Sequence, residues 1–437
     1  MTLGRCIAVT VMGLGLGLPA GCGEPIDNGS GGSSSGDDTS GEAGGTTSAP
    51  TTGEADASTS TGATSAETSA SESSDGGTTE EPVEPPEAYE KWLKVEIPGT
   101  VCGNNSQYKF FVNYKEGADD LLIMLEPGGA CWDFNGCSGK SDLGAAHPDG
   151  IPDDLMNPVG QNANLSPLIR REIEGPTKDF NMVFLPYCTG DVHTGNNVIV
   201  YEDPEGQEPP LEFHHNGHNN VQAATEWMGK QFPALDRLFV TGCSAGGAGS
   251  IINYYFFRMG LEAKRGYLMD DSGPIFPSSG FSAPLHSMIR SSWNVDSVLG
   301  LLPPQYQITD DFGVLNAHLA DIFPDDRLST IFFQRDYNYS RYSYENFYEM
   351  NAKEDIMSYW KADTDLLVDV YDQHDNLGYY LPYWRALNDS HCVSIVSYLD
   401  TEIEELGLDL GDYVDELFND DVPLGKYRES VQPNEDN

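Results

Sequence analysis

Residues 237–257 constrain the fold more tightly than any other stretch of the chain. A short apolar run at 238–240 stops at Gly242-Cys243-Ser244-Ala245-Gly246, and a second apolar run, 251–257, follows at once. This reads as strand, sharp turn and helix, with Ser244 at the tip. Such a turn lifts a hydroxyl out of a sheet and presents it as a nucleophile. The five-residue pattern alone is weak evidence. Glycine supplies 47 of 437 residues, so chance matches are common, and Gly32-Ser33-Ser34-Ser35-Gly36 fits the same pattern inside a Ser/Gly-rich stretch. Only the later match lies between a strand signal and a helix signal.

The order of the other elements extends this reading. Strand-like runs occur at 92–97, 108–114, 121–126, 182–186, 237–241, 266–270 and 330–334. Several are continuously apolar, as in parallel strands covered on both faces. Helical patterns lie at 219–231, 245–259, 312–322, 344–350, 363–374 and 412–419. The first two strands predict an antiparallel meander, and the alternation after them predicts a parallel sheet with right-handed crossovers. The expected fold is α/β and α/β-hydrolase-like: a mostly parallel central sheet flanked by helices.

Not all of the chain belongs to that domain. Residues 1–22 read as a secretory signal: Arg5 is the sole charge, and an apolar stretch ends in Leu18-Pro19-Ala20-Gly21-Cys22. Small residues before a cysteine predict a lipoprotein processing site with Cys22 as the lipidated residue. Residues 23–88 are Gly, Ser, Thr, Ala, Glu and Asp with 14 carboxylates and no Lys or Arg, the composition of a disordered, extended tether. The expected location is therefore an exported cell-envelope lipoprotein or a secreted protein, with the membrane reached through an N-terminal lipid anchor. Residues 89–437 form one catalytic domain in this reading. Of the formal charge of −46, −33 falls on that region, which argues against nucleic acid as a partner. Its six cysteines, at 102, 131, 137, 188, 243 and 392, allow up to three disulfides in an exported domain, and Cys131 and Cys137 are close enough to staple one loop.

A nucleophilic serine needs a base, a group that orients the base, and an oxyanion hole. The apolar run 121–125 leads into Glu126-Pro127-Gly128-Gly129-Ala130-Cys131-Trp132, and a strand running into a Gly-Gly loop upstream of the nucleophile is a source of oxyanion N–H groups. Gly129 and Ala130, with Ala245 after the serine, are the candidate donors. His391, the last histidine, sits in a loop beside Cys392 and is the candidate base. His318 and His374 fall inside helical patterns, and His286 starts a helix-like stretch. Two acidic sites follow the nucleophile helix. Asp270 and Asp271 end one strand and Asp336 follows the next; an acid on the later strand favours Asp336, with Asp270 or Asp271 shaping the floor of the site or capping a turn. The cluster His214, His215 and His218 has zinc-like spacing, but it lacks a H-E-x-x-H glutamate and Gly217 interrupts it. No metal or other cofactor is expected.

Three blocks in order carry a family resemblance: 125–132, with its Glu126-Pro127-Gly128-Gly129 core; Leu185-Pro186-Tyr187-Cys188-Thr189-Gly190-Asp191 running on to Gly195; and Gly242-Cys243-Ser244-Ala245-Gly246-Gly247. With Asp271-Ser272-Gly273 and His391-Cys392, they resemble the pectin acetylesterase/Notum family of α/β-hydrolase-like carboxylesterases over roughly 95–398. The chain departs from that family at Pro127, at Ala130, where relatives often carry an aromatic, and at Tyr337-Asn338 after Asp336. The resemblance implies a Ser244, Asp336, His391 triad, an oxyanion hole at Gly129, Ala130 and Ala245, and ester hydrolysis through an acyl-enzyme. The expected partner is an ester substrate, foremost acetyl groups on a polysaccharide, met by a monomer. The alternatives are a lipid or long-chain acyl esterase and a catalytically silent lipoprotein that binds a glycan or lipid.

Overall fold

The computed structural model describes residues 88–141, 143–156 and 166–430. The signal segment, Cys22 and the acidic tether as far as residue 87 lie outside the described residues.

Among the described residues, nine strands build one sheet in the order β1-β2-β4-β3-β7-β8-β9-β10-β11. They are β1 (Trp92–Val101), β2 (Gln107–Asn113), β3 (Asp120–Leu125), β4 (Asn181–Leu185), β7 (Leu235–Cys243), β8 (Ala263–Asp271), β9 (Arg327–Ile331), β10 (Leu377–Leu381) and β11 (Lys426–Arg428). β1, β2 and β4 pair antiparallel, and from β4 through β3 to β11 every pairing is parallel. The antiparallel meander and the parallel sheet are thus as the sequence predicts. The apolar runs become the middle of the sheet: 121–125 in β3 and all of β4 are buried, the expected state of strands covered on both faces. A separate hairpin pairs β5 (Asn197–Tyr201) with β6 (Leu211–His215).

The helices are α1 (Phe134–Cys137), α2 (Gly217–Gln231), α3 (Ala245–Gly260), α4 (Ala283–Trp293), α5 (Val295–Leu299), α6 (Leu315–Ile322), α7 (Tyr337–Tyr344), α8 (Lys353–Tyr371) and α9 (Leu410–Leu417). α3 packs on β3, β7 and β8. Phe418, just past α9, meets Phe239 of β7 and Tyr267 of β8 edge-on, at 5.0 and 5.1 Å between ring centroids.

Several elements differ from the sequence expectation. The helix expected at 344–350 is instead α7, which ends at Tyr344. The reason is local: the Asp336 carboxylate accepts the Tyr339 N–H (2.9 Å) and starts the helix seven residues earlier. α8 begins at Lys353, where Asp355 accepts the Asn351 and Ala352 N–H groups, and ends before His374. α2 begins at Gly217 rather than beyond it. That glycine is needed because a β-carbon there would strike the Asp191 carboxylate and the His193 backbone.

Candidate active site

The parallel strands end on one side of the sheet, and each carboxyl end contributes to one place. β3 and β7 are neighbours, with Leu125 opposite Gly242, so the Gly128-Gly129-Ala130 loop and the Ser244 turn leave the sheet side by side. Ligands of parallel sheets bind at such strand ends. Asp271 closes β8, Asp336 follows β9, and His391 follows β10.

The serine turn is built from glycines for steric reasons. Ser244 has φ 55° and ψ −119°, an unfavourable conformation for a residue with a side chain. A β-carbon on Gly242 would press on the Gly246 backbone, one on Gly246 would overlap the Leu125 carbonyl, and one on Gly247 would meet Asp270. These contacts let α3 start directly over β3, with Ala245 as its first residue. Ser244 is tied down by its own N–H, which donates to the Asp271 carbonyl (2.8 Å). Its side is 6 % exposed, and it faces a cavity that Gly129, Ala130 and Ala245 also line. Gly129, at φ 73°, pairs with Ala145 in a bridge, and the Ala146 N–H donates to the Gly128 carbonyl (2.8 Å).

His391 donates from Nδ1 to Asp336 Oδ2 at 2.8 Å, and Asp336 is fully buried. Burial works against a charged imidazole, but the charge and hydrogen bond of Asp336 outweigh it and hold the His391 pKa above its ordinary value. The two acidic sites that the sequence offers, with Asp336 favoured, do different things. Asp271 accepts the N–H groups of Val393 and Ser394 (both 2.8 Å) and the Ser394 hydroxyl (2.6 Å), which fixes the loop that carries His391. Asp270 accepts from Thr330 Oγ1 (2.8 Å) and the Gly273 N–H (3.1 Å). Burial raises the pKa of Asp270 to about 8.

A disulfide joins Cys243 to Cys392, with 5.6 Å between their α-carbons. It links the residue before the serine to the residue after the histidine. The other two bridges are Cys102–Cys188 and Cys131–Cys137, the second being the loop staple expected from spacing. Cys243, His391 and Cys392 form the one tight His/Cys/Asp/Glu group with metal-like spacing among the described residues, but both sulfurs are engaged in the disulfide.

The histidine cluster does not converge on a ligand. His215 donates to the Thr189 carbonyl (2.9 Å) and accepts from the Tyr201 hydroxyl (2.8 Å), and the His218 ring packs edge-on against Phe256. The block 185–195 is organised by Asp191, which sequence reasoning quoted without assigning a role. Its carboxylate accepts from the Thr189 hydroxyl (2.6 Å) and the N–H groups of Gly195 (3.1 Å) and Gly217 (2.8 Å), and burial lifts its pKa to about 7. His193 donates to the Glu126 carbonyl (2.9 Å), bracing the start of the Gly128-Gly129-Ala130 loop.

The cavity beside Ser244 has largely apolar walls: Ile252, Phe276, Leu285, Ile289, Trp293 and Phe312 among them. α4 supplies three of these at a spacing of four residues, so one helix stripe forms a wall. A second, polar cleft shares Ala130 and Trp132 with it and is lined by Asp133, Asn135, Glu202 and Arg341.

Residues 91–288 match the Pectinacetylesterase family. Palmitoleoyl-protein carboxylesterase notum1 of Xenopus laevis is 26 % identical over 153 residues, which is 35 % of this chain and 29 % of that protein. The match thus spans less than a third of the curated relative. The solved structure of the Wnt deacylase Notum from Drosophila superposes with a TM-score of 0.53 at 15 % identity, covering 77 % of this chain and 97 % of that one, a likeness of fold. Family match, relative and fold agree with the three sequence blocks: over residues 91–288 the chain is similar to the pectin acetylesterase family, and it shares the fold of Notum.

Proposed function

We propose that the chain is a serine carboxylesterase in which Ser244, His391 and Asp336 act as nucleophile, base and orienting acid. The observation that carries this is the 2.8 Å His391–Asp336 hydrogen bond, held by a disulfide to the strained turn that presents Ser244. With Asp336 on Nδ1, the other ring nitrogen is left to take the Ser244 proton as the hydroxyl attacks an ester carbonyl. The N–H groups of Gly129, Ala130 and Ala245 receive the oxyanion, the last at the positive end of a 16-residue helix. The protonated His391 then donates to the leaving alcohol, and water, activated in the same way, releases the acyl group.

The apolar lining that runs from Ser244 to Trp293 and Phe312 favours an apolar acyl chain longer than acetyl. The polar cleft that shares Ala130 and Trp132 suits a hydroxyl-rich alcohol and supports the second reading, an acetylated polysaccharide. Cys22 would tether the enzyme to a membrane surface. The test is labelling with a fluorophosphonate probe, followed by a p-nitrophenyl ester panel from acetyl to palmitoyl. The expected results are a label lost in Ser244→Ala and kcat/KM highest above acetyl. Parental hydrolysis by Ser244→Ala would sink the proposal; a maximum at acetyl would favour the polysaccharide reading.

A further inference from the structure

The apolar wall that α4 gives to the cavity is interrupted by one imidazole. Leu285, Ile289 and Trp293 lie on one stripe of the helix, and His286 sits within it, three residues before Ile289. His286 is 6 % exposed, and its Nδ1 has no hydrogen-bond partner among the described residues. Of the other polar groups of the lining, the Ser343 hydroxyl donates to the Tyr339 carbonyl (3.2 Å) and the Tyr342 hydroxyl to the Gly144 carbonyl (3.0 Å), while the Ser282 hydroxyl, one turn before His286, also has no hydrogen-bond partner among the described residues. The Phe312 ring packs edge-on against His286 at 5.2 Å and limits where the imidazole can turn. Buried polar atoms are nearly always paired, and one that is not calls for a specific reason. Burial pushes its pKa down to about 4, with Asp311 opposing and Arg290 assisting, so at neutral pH the ring is uncharged and carries one donor and one acceptor.

We propose that His286 is a specificity residue that hydrogen-bonds an uncharged polar substituent, a hydroxyl or keto group, on an otherwise apolar acyl chain. This rests on the esterase reading of the same cavity. A hydroxyl matches either tautomer of a neutral imidazole, since it both donates and accepts. A carboxylate is excluded by the apolar walls, where a charge would lose its hydration without a cation to pair with. The unpaired Nδ1 then has its partner in the complex, and a plain chain leaves it unpaired. That asymmetry is the source of discrimination.

The test uses p-nitrophenyl octanoate and its monohydroxylated analogues at successive carbons. kcat/KM is measured on the parent protein, His286→Leu and His286→Asn, and affinity is measured for each His286 form carried on Ser244→Ala. At least one hydroxylated ester should be favoured by the parent. His286→Leu should lower the hydroxylated-to-plain ratio by about tenfold or more, in turnover and in affinity alike, with the plain ester processed at least as well. Asparagine, whose amide nitrogen can stand near the Nδ1 position, should restore part of the ratio. The thermal midpoint of His286→Leu should hold or rise, whereas a merely structural histidine would lower it. A ratio unchanged between the parent and His286→Leu at every position overturns the proposal. Absent turnover with an intact affinity ratio would instead sink the esterase reading and keep the subsite.

Discussion

Asp336 has two carboxylate oxygens and two tasks. Oδ1 starts α7 by accepting the Tyr339 N–H, and Oδ2 holds the His391 ring. Asp336→Asn keeps the size and the helix cap but presents an amide that cannot hold Nδ1–H as the carboxylate does. Loss of the correct tautomer should lower kcat by roughly 10⁴-fold, with little change in KM. The pH profile gives an independent reading. His391 must be neutral to act as base, and its pKa lies above the ordinary histidine value because of Asp336. The parent's kcat/KM should therefore fall as pH drops through a limb above 6.5. In Asp336→Asn the raising influence is gone and burial remains, so the residual activity should persist to lower pH. A limb that does not move would mean that Asp336 does not set the ionisation of the base. Ser244 and its glycines were legible in the sequence because the turn admits few residue types. Asp336 was favoured over Asp270 and Asp271 on strand order alone; the structure adds what the sequence does not show, that Asp336 meets His391 while the loop amides of Val393 and Ser394 occupy Asp271.

At the scale of elements, the sheet ends are held together covalently. The Cys243–Cys392 bridge spans 149 residues of sequence and joins the end of β7 to the loop after β10. Closing so long a loop restricts the unfolded chain, and replacing both cysteines by serine should cost about 2–5 kcal/mol. The paired substitution at Cys102 and Cys188, with a separation of 86, should cost a similar amount. Activity should separate the two. Losing Cys243–Cys392 frees the His391 loop from the serine turn, so kcat should fall well beyond the loss caused by the Cys102/Cys188 pair when both are assayed far below their melting points. Equal losses would mean that the bridge acts on stability alone. The elements legible in the sequence were those with a single strong cue: the buried apolar strands β3, β4, β7 and β8, and the long helix α3. β5 and β6 were missed because their alternation exposes Val198 and Val200 to solvent. β10 was missed because Leu377-Gly378-Tyr379-Tyr380-Leu381 has neither β-branched residues nor alternation, and its burial comes from β9 and β11 on either side. α4 carries its apolar stripe among serines and has a proline in its first turn, so it read only as a helix-like stretch.

The whole molecule buries ionisable groups of both kinds, and their shifts set how stability depends on pH. Asp270 and Asp191 have folded-state pKa values raised to about 8 and about 7 by burial. A carboxyl raised in this way binds its proton more tightly when folded, so its contribution is complete at low pH and is lost as pH rises through the folded value. His391, also raised, acts in the same direction above 6.5. His193, His215, His218 and His286 are pushed down to about 4, chiefly by burial. The unfolded chain takes up these four protons first, so their contribution is present above about 6.5 and is lost as pH falls toward 4. Between about 4 and 6.5 the four histidines act against the raised carboxyls, Asp271 and Asp363 among them; above about 6.5 only raised groups still titrate, and stability declines. The thermal midpoint should therefore be lower at pH 8.5 than at pH 6.5, as scanning calorimetry at constant ionic strength would show. Asp270→Asn keeps an acceptor for Thr330 and Gly273 while removing the proton equilibrium, so it should flatten the alkaline decline and make stability rise more steeply with pH on the acid side. A midpoint that keeps rising to pH 8.5 in the parent would show that the buried carboxyls do not govern this side of the profile.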